Sequence, residues 1–90
     1  MKKAKVVSVT FSVRAEKGKA VYLAGDFNDW NPKGKKMTYK ARKGAYEATV
    51  KLPRGEHQYK FVIDGVWCTD PENIHAVAND QGSFNSLIDA

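Results

Sequence analysis

Thiols are nearly absent from this chain: Cys68 is the single cysteine in 90 residues. It cannot close an internal disulfide, which excludes a disulfide-stapled secreted framework and makes a cytoplasmic location the expectation. Long hydrophobic runs are missing too. Nothing approaches the ~20 apolar residues of a membrane span. The opening MKKAKVVSV is broken by Ser8, Thr10 and Ser12 and lacks a signal peptide's long apolar stretch. Histidine is scarce, and His57 and His75 stand in no metal-binding spacing. No phosphate-cradling glycine loop occurs, and no sustained 3.6-residue apolar repeat marks a helix. Neither a metal nor a cofactor is expected.

Catalytic machinery is equally thin. Cys68 follows Trp67 with no activating group beside it in sequence, so a thiol packed as a small hydrophobe is the expected role. Asp26 with Asp29, or Asp64 with Asp70, could be imagined as carboxylate pairs. All four sit where an aspartate side chain bonds its own turn backbone. The chain is expected not to be an enzyme.

What is plentiful is lysine, and it is unevenly placed. Residues 1–54 carry 14 Lys/Arg against 4 Asp/Glu, whereas residues 55–90 carry one Lys against 6 acids. A solvated, lysine-rich surface explains this, the densest part being KGKKMTYKARK. Single-stranded nucleic-acid binding is a rival reading of a basic chain with exposed aromatics. The acidic half that contains Trp67 speaks against it, and no nucleic-acid or membrane partner is expected.

The apolar period is two almost throughout. Val7, Val9, Phe11 and Val13 alternate with polar residues, and Val21 and Leu23 continue the pattern. Tyr46, Ala48, Val50 and Leu52 form another inward set, as do Tyr59, Phe61 and Ile63, leaving Gln58, Lys60 and Val62 outward. A last run, GSFNSLID, offers Phe84 and Leu87. Turn chemistry at EKG, RKG, PRGE, DG, DPEN and NDQG separates the runs. These features predict one all-β domain over residues 1–90, an antiparallel β-sandwich with a basic tail at 1–4. A small barrel is the alternative.

Two tryptophans stand outside this pattern. Trp30 lies in the polar loop GDFNDWNP, and Trp67 follows the Asp64–Gly65 turn, out of phase with the inward residues. Each could be an edge-of-core plug with its indole N–H at the surface. Together with outward Lys60 they could instead form a platform for a sugar, whose axial C–H face suits indole and whose hydroxyls suit Lys, Asn and Gln.

The segments VYLAGDFNDWNP, GAYEATVKLPRGEHQYKFVIDGVWCTDPEN and NDQGSFNS, in that order, resemble the family 48 carbohydrate-binding modules. That family includes the glycogen-binding domain of the AMP-activated protein kinase β subunit and the early-set domains of glycogen branching and debranching enzymes. The resemblance covers about residues 5 to 89. It implies an immunoglobulin-like (early-set) sandwich and non-catalytic binding of α-1,4-linked glucan in a shallow groove. By the same resemblance, Trp30 and Trp67 stack on glucose and Lys60 and Asn85 bond its hydroxyls. Gln81 stands where kinase-type members place a leucine, and Ser83 stands in place of their threonine. An α-glucan is the implied partner, with a glycogen-metabolising enzyme or kinase as the second. A docking domain that binds no sugar is the alternative function.

Overall fold

Each sustained alternation forms a strand in the computed structural model, which describes residues 5–90. The expected basic tail at 1–4 lies outside the described residues. In chain order the strands are β1 (Val6–Arg14), β2 (Val21–Gly25), β3 (Lys35–Lys36), β4 (Thr38–Lys40) and β5 (Ala45–Pro53). They continue with β6 (Glu56–Ile63), β7 (Val66–Cys68), β8 (Ala76–Ala78) and β9 (Phe84–Asp89). Among the described residues there is no helix long and apolar enough to cross a membrane.

All pairings are antiparallel, and they build the two layers of an immunoglobulin-like sandwich. One sheet has the order β1-β5-β4; the other runs β3-β2-β6-β9-β8, with β7 beside the second half of β6. The chain passes between layers at Met37, which is buried and donates its N–H to the Val21 carbonyl. The loop after β1 is held by Tyr46, whose hydroxyl donates to the Glu16 carbonyl and accepts from the Lys19 N–H.

The core lies between the sheets. Phe11, Tyr46, Ala48 and Leu52 come from the first layer and Val21, Leu23, Tyr59 and Phe61 from the second. Phe11 meets Tyr59 edge to face with centroids 4.8 Å apart, and Tyr59 meets Phe61 in the same way at 5.6 Å. Each fully buried side chain of this size stabilises the fold by roughly 1.5–3 kcal/mol. Tyr59 also has a polar role. Its hydroxyl donates to Asp70 Oδ2 at 2.7 Å and accepts from Asn73 Nδ2, while Ser86 Oγ accepts from the Asp70 N–H. This network fastens the segment between β7 and β8 to the sheet, and burial raises the Tyr59 phenol above its ordinary pKa.

Several expectations need correction. Val62 lies on the outer face of its sheet as expected, but it is buried between its register partners Tyr22 and Trp67. In β9, Ser86 and Ile88 turn towards the core and Leu87 turns away, because Ser86 pairs with inward Tyr59. Phe84, on the parity of Ser86, stands at the strand's start and is 57% exposed. Asp70 does cap its own turn, through the Glu72 N–H. Asp64 instead reaches across to the Ala20 N–H and to Lys19, contacts that hold its carboxyl below the usual range. Asp64 and Gly65 both have positive φ, at 49° and 83°, as a two-residue hairpin turn requires.

Tyr59→Phe removes the donor to Asp70 and the acceptor for Asn73 while keeping the ring. Urea unfolding should show a loss of about 1–3 kcal/mol. Phe61→Ala, which opens a cavity, should cost about 3–5 kcal/mol.

Candidate functional site

Alternation along β6 places Lys60 on the outer face, because Tyr59 and Phe61 on either side of it fill the core. One edge of β6 is covered by β2 along residues 59–63. The other edge is shared: β9 pairs with residues 56–59 and β7 with residues 61–63. Lys60 therefore sits where the neighbour changes. On one side Trp67 stands opposite Val62; on the other, Asn85 immediately precedes Ser86, the partner of Tyr59. The Trp67 ring is out of phase with the core, as its position suggested, and the residue is 41% exposed.

Trp30 reaches the same place from β2. Gly25 ends that strand, and a Cβ there would lie 2.5 Å from the Phe27 ring and 2.6 Å from the Gln58 carbonyl oxygen. No other residue fits so close an approach. Phe27 packs against the core. Asn28 ties the loop to the strand, its Oδ1 accepting from the Gly25 N–H and its Nδ2 donating to the Leu23 carbonyl. The Trp30 N–H then closes on the Gly25 carbonyl at 2.9 Å. Asp29 and Trp30 both take positive φ, 57° and 55°, an unusual pair for residues with side chains. The loop holds this conformation and leaves Trp30 half-buried at the surface.

Asp26 and His57 form a clamp under this loop. Asp26 Oδ2 accepts the Gln58 N–H, and Asp26 Oδ1 lies 3.0 Å from His57 Nδ1. His57 Nε2 lies 2.8 Å from the Pro53 carbonyl. Asp26 thus bonds across strands, contrary to the expectation of a local turn contact. Both ring nitrogens face acceptors, an arrangement that suits the imidazolium. The Pro53 carbonyl first, and then Asp26, raise the His57 pKa above 6.5, against the opposing effect of burial.

The third wall is the loop between β8 and β9. Asn79 Oδ1 accepts the N–H groups of Gln81 and Ser83, and its Nδ2 donates to Asn85 Oδ1. Asn85 Nδ2 donates in turn to Gln58 Oε1, and Lys60 Nζ donates to Ser83 Oγ at 3.0 Å.

All six residues singled out in the sequence, Trp30, Lys60, Trp67, Gln81, Ser83 and Asn85, line one open groove of about 540 Å³. Its tryptophans and loop residues form the walls. Lys60 and Asn85, only 9% and 8% exposed, form a polar base. Asn79 and Asp80 also line the groove and were not anticipated. NDQG reads as a plain turn, although an asparagine placed to accept amides two and four residues ahead is a loop organiser that the spacing could have signalled. Lys60 makes no ion pair among the described residues. Its ammonium has three donors and gives one to Ser83, so a ligand rich in neutral acceptors fits the base. Asp80 on the rim disfavours anions.

The family described as the glycogen recognition site of AMP-activated protein kinase matches residues 7–90. The β-1 subunit of 5'-AMP-activated protein kinase from Sus scrofa is 41% identical over 71 residues, covering 79% of this chain and 54% of that protein. The Homo sapiens β-1 subunit has the same identity over 71 residues, 79% of this chain but 24% of the relative. The β-2 subunit from Mus musculus is 39% identical over 74 residues, 82% of this chain and 26% of the relative. The chain thus spans about half of the Sus scrofa sequence and about a quarter of the other two.

The clamp makes stability depend on pH. A folded-state pKa raised above 6.5 gives stability that is fully present below 6.5 and lost as pH rises through the folded value. The denaturant midpoint should therefore fall between about pH 6 and 8 at constant salt. In His57→Gln that slope should vanish.

Proposed function

Because the chain belongs to the family of glycogen-recognition domains of AMP-activated protein kinase, we propose that the groove binds α-1,4-linked glucan without catalysis. One observation carries the reading: two tryptophans from separate elements flank a polar base of lysine and asparagine in a single groove. Trp30 and Trp67 stack on the apolar faces of glucose units. Lys60 donates to hydroxyl oxygens, Asn85 uses its remaining donor and acceptor capacity, and Gln81 and Ser83 contact the rim. Gln81 supplies amide hydrogen bonding where kinase-type members have an apolar leucine.

The groove's chemistry supports a binding role over an enzymatic one. Asp80 is the only carboxylate that lines it among the described residues, whereas glycoside hydrolysis uses a pair. Binding per site is weak, about micromolar to millimolar, because few contacts must offset the ordering of a flexible chain. Retention on a polymer comes from repeated engagement of many equivalent sites. We extend the proposal to a cytoplasmic setting, consistent with the single Cys68, and to a kinase assembly as second partner, after the names of the relatives.

Trp30→Ala combined with Trp67→Ala should abolish retention on glycogen and reduce maltoheptaose affinity at least about tenfold, or 1.4 kcal/mol. Unchanged pull-down would refute the reading. Sugar affinity should also stay nearly constant from low to high salt. A nucleic-acid complex would weaken steeply over the same range.

A further inference from the structure

On the other sheet, away from the groove, β5 has an edge that the fold leaves unfilled. β1 covers one side of β5 from Ala45 to Pro53, but β4 pairs with the other side only from Ala45 to Glu47. The chain that would have extended β4 departs: Lys36 and Lys35 pair with Tyr22 and Leu23 of the opposite sheet. From Ala48 to Leu52 the second edge has no strand partner among the described residues. In an antiparallel strand every second residue turns both its N–H and its C=O to the same side. This stretch therefore offers a short hydrogen-bonding template of roughly 17 Å at ~3.3 Å per residue.

We propose that this edge docks an extended acidic segment of a partner protein, added as a strand in line with β4. Two clefts of about 250 and 390 Å³ lie along it and share Thr49 and Lys35. Lys35, Lys36, Lys40 and Lys51 line them. The one carboxylate among their lining residues, Glu47, is already held by Lys43 Nζ at 2.6 Å. The edge also carries an alternating pattern to be matched. Thr49 and Lys51 are exposed on the outer face, while Ala48, Val50 and Leu52 turn to the core. An incoming strand with acids at alternate positions and small apolar residues between them complements both faces. The same lysines repel a second copy of this edge, the usual protection of an open strand. The clefts share no lining residue with the glucan groove, although the larger one touches Phe27, Asn28 and Gly34 of the loop that carries Trp30.

The test is an amide-resolved NMR titration of the full chain with a blocked peptide of alternating Glu and Val, and with its Lys-for-Glu counterpart. The acidic peptide should shift Ala48–Leu52 and slow their hydrogen exchange, while the basic peptide should do neither. Lys35→Glu, Lys36→Glu and Lys51→Glu together should weaken binding at least about tenfold while leaving the remaining amide spectrum intact. The proposal fails if no shifts appear at millimolar peptide. It also fails if shifts spread over the lysine surface without exchange protection at residues 48–52, since the lysines then only guard the edge.

Discussion

The succession Tyr59, Lys60, Phe61 on one strand ties the groove to the core. The two aromatic rings are buried between the sheets, and the pleat then leaves Lys60 no choice but the opposite face. A slip of one residue would eject both rings and drive an ammonium into the apolar layer, so the register is held by several kcal/mol of burial. The neighbours of β6 inherit that certainty. β2, β7 and β9 each pair with it, and each carries or leads into one wall of the groove. The strand that organises the interior thus also sets the spacing of the surface.

The groove's polar base is assembled before any ligand arrives. Asn79 fixes the backbone of its loop and Asn85 at once, and Lys60 is tethered to Ser83. A ligand bound there, as proposed, would have none of these side chains to order anew, which lowers the entropic cost. On the opposite wall, the positive φ angles of Asp29 and Trp30 are held by the Asn28 bonds and by Phe27 in the core. The motif G-x-F-N-x-W then reads mechanically: glycine for approach, phenylalanine for anchorage, asparagine for closure, and tryptophan as what the loop presents.

Much of this was legible in the sequence, because period-two alternation records directly which face of a strand is dry. Phe11, Leu23, Leu52 and Phe61 could be assigned to the core on that ground alone. The misreadings share a cause, since they depend on partners distant in sequence. Whether Leu87 or Ile88 faces inward follows from pairing with β6, and Val62 is buried by neighbours on β2 and β7. Asp26 and Asp64 resemble turn formers, yet they bond to chain 31 and 44 positions away. The groove residues were named by the motif's resemblance, whereas Asn79 and Asp80 looked like ordinary turn residues until the loop's hydrogen bonds placed them on its wall.

The two tryptophans are the chain's only indoles, and both line the groove. The aromatic side chains of the interior are instead phenylalanine and tyrosine. The protein therefore divides its intrinsic chromophores by location. Its long-wavelength emission belongs to the surface cleft, and the signal of Tyr46 and Tyr59 belongs to the packed layers. Light absorbed at the red edge of the spectrum reports on the cleft while remaining almost blind to the core.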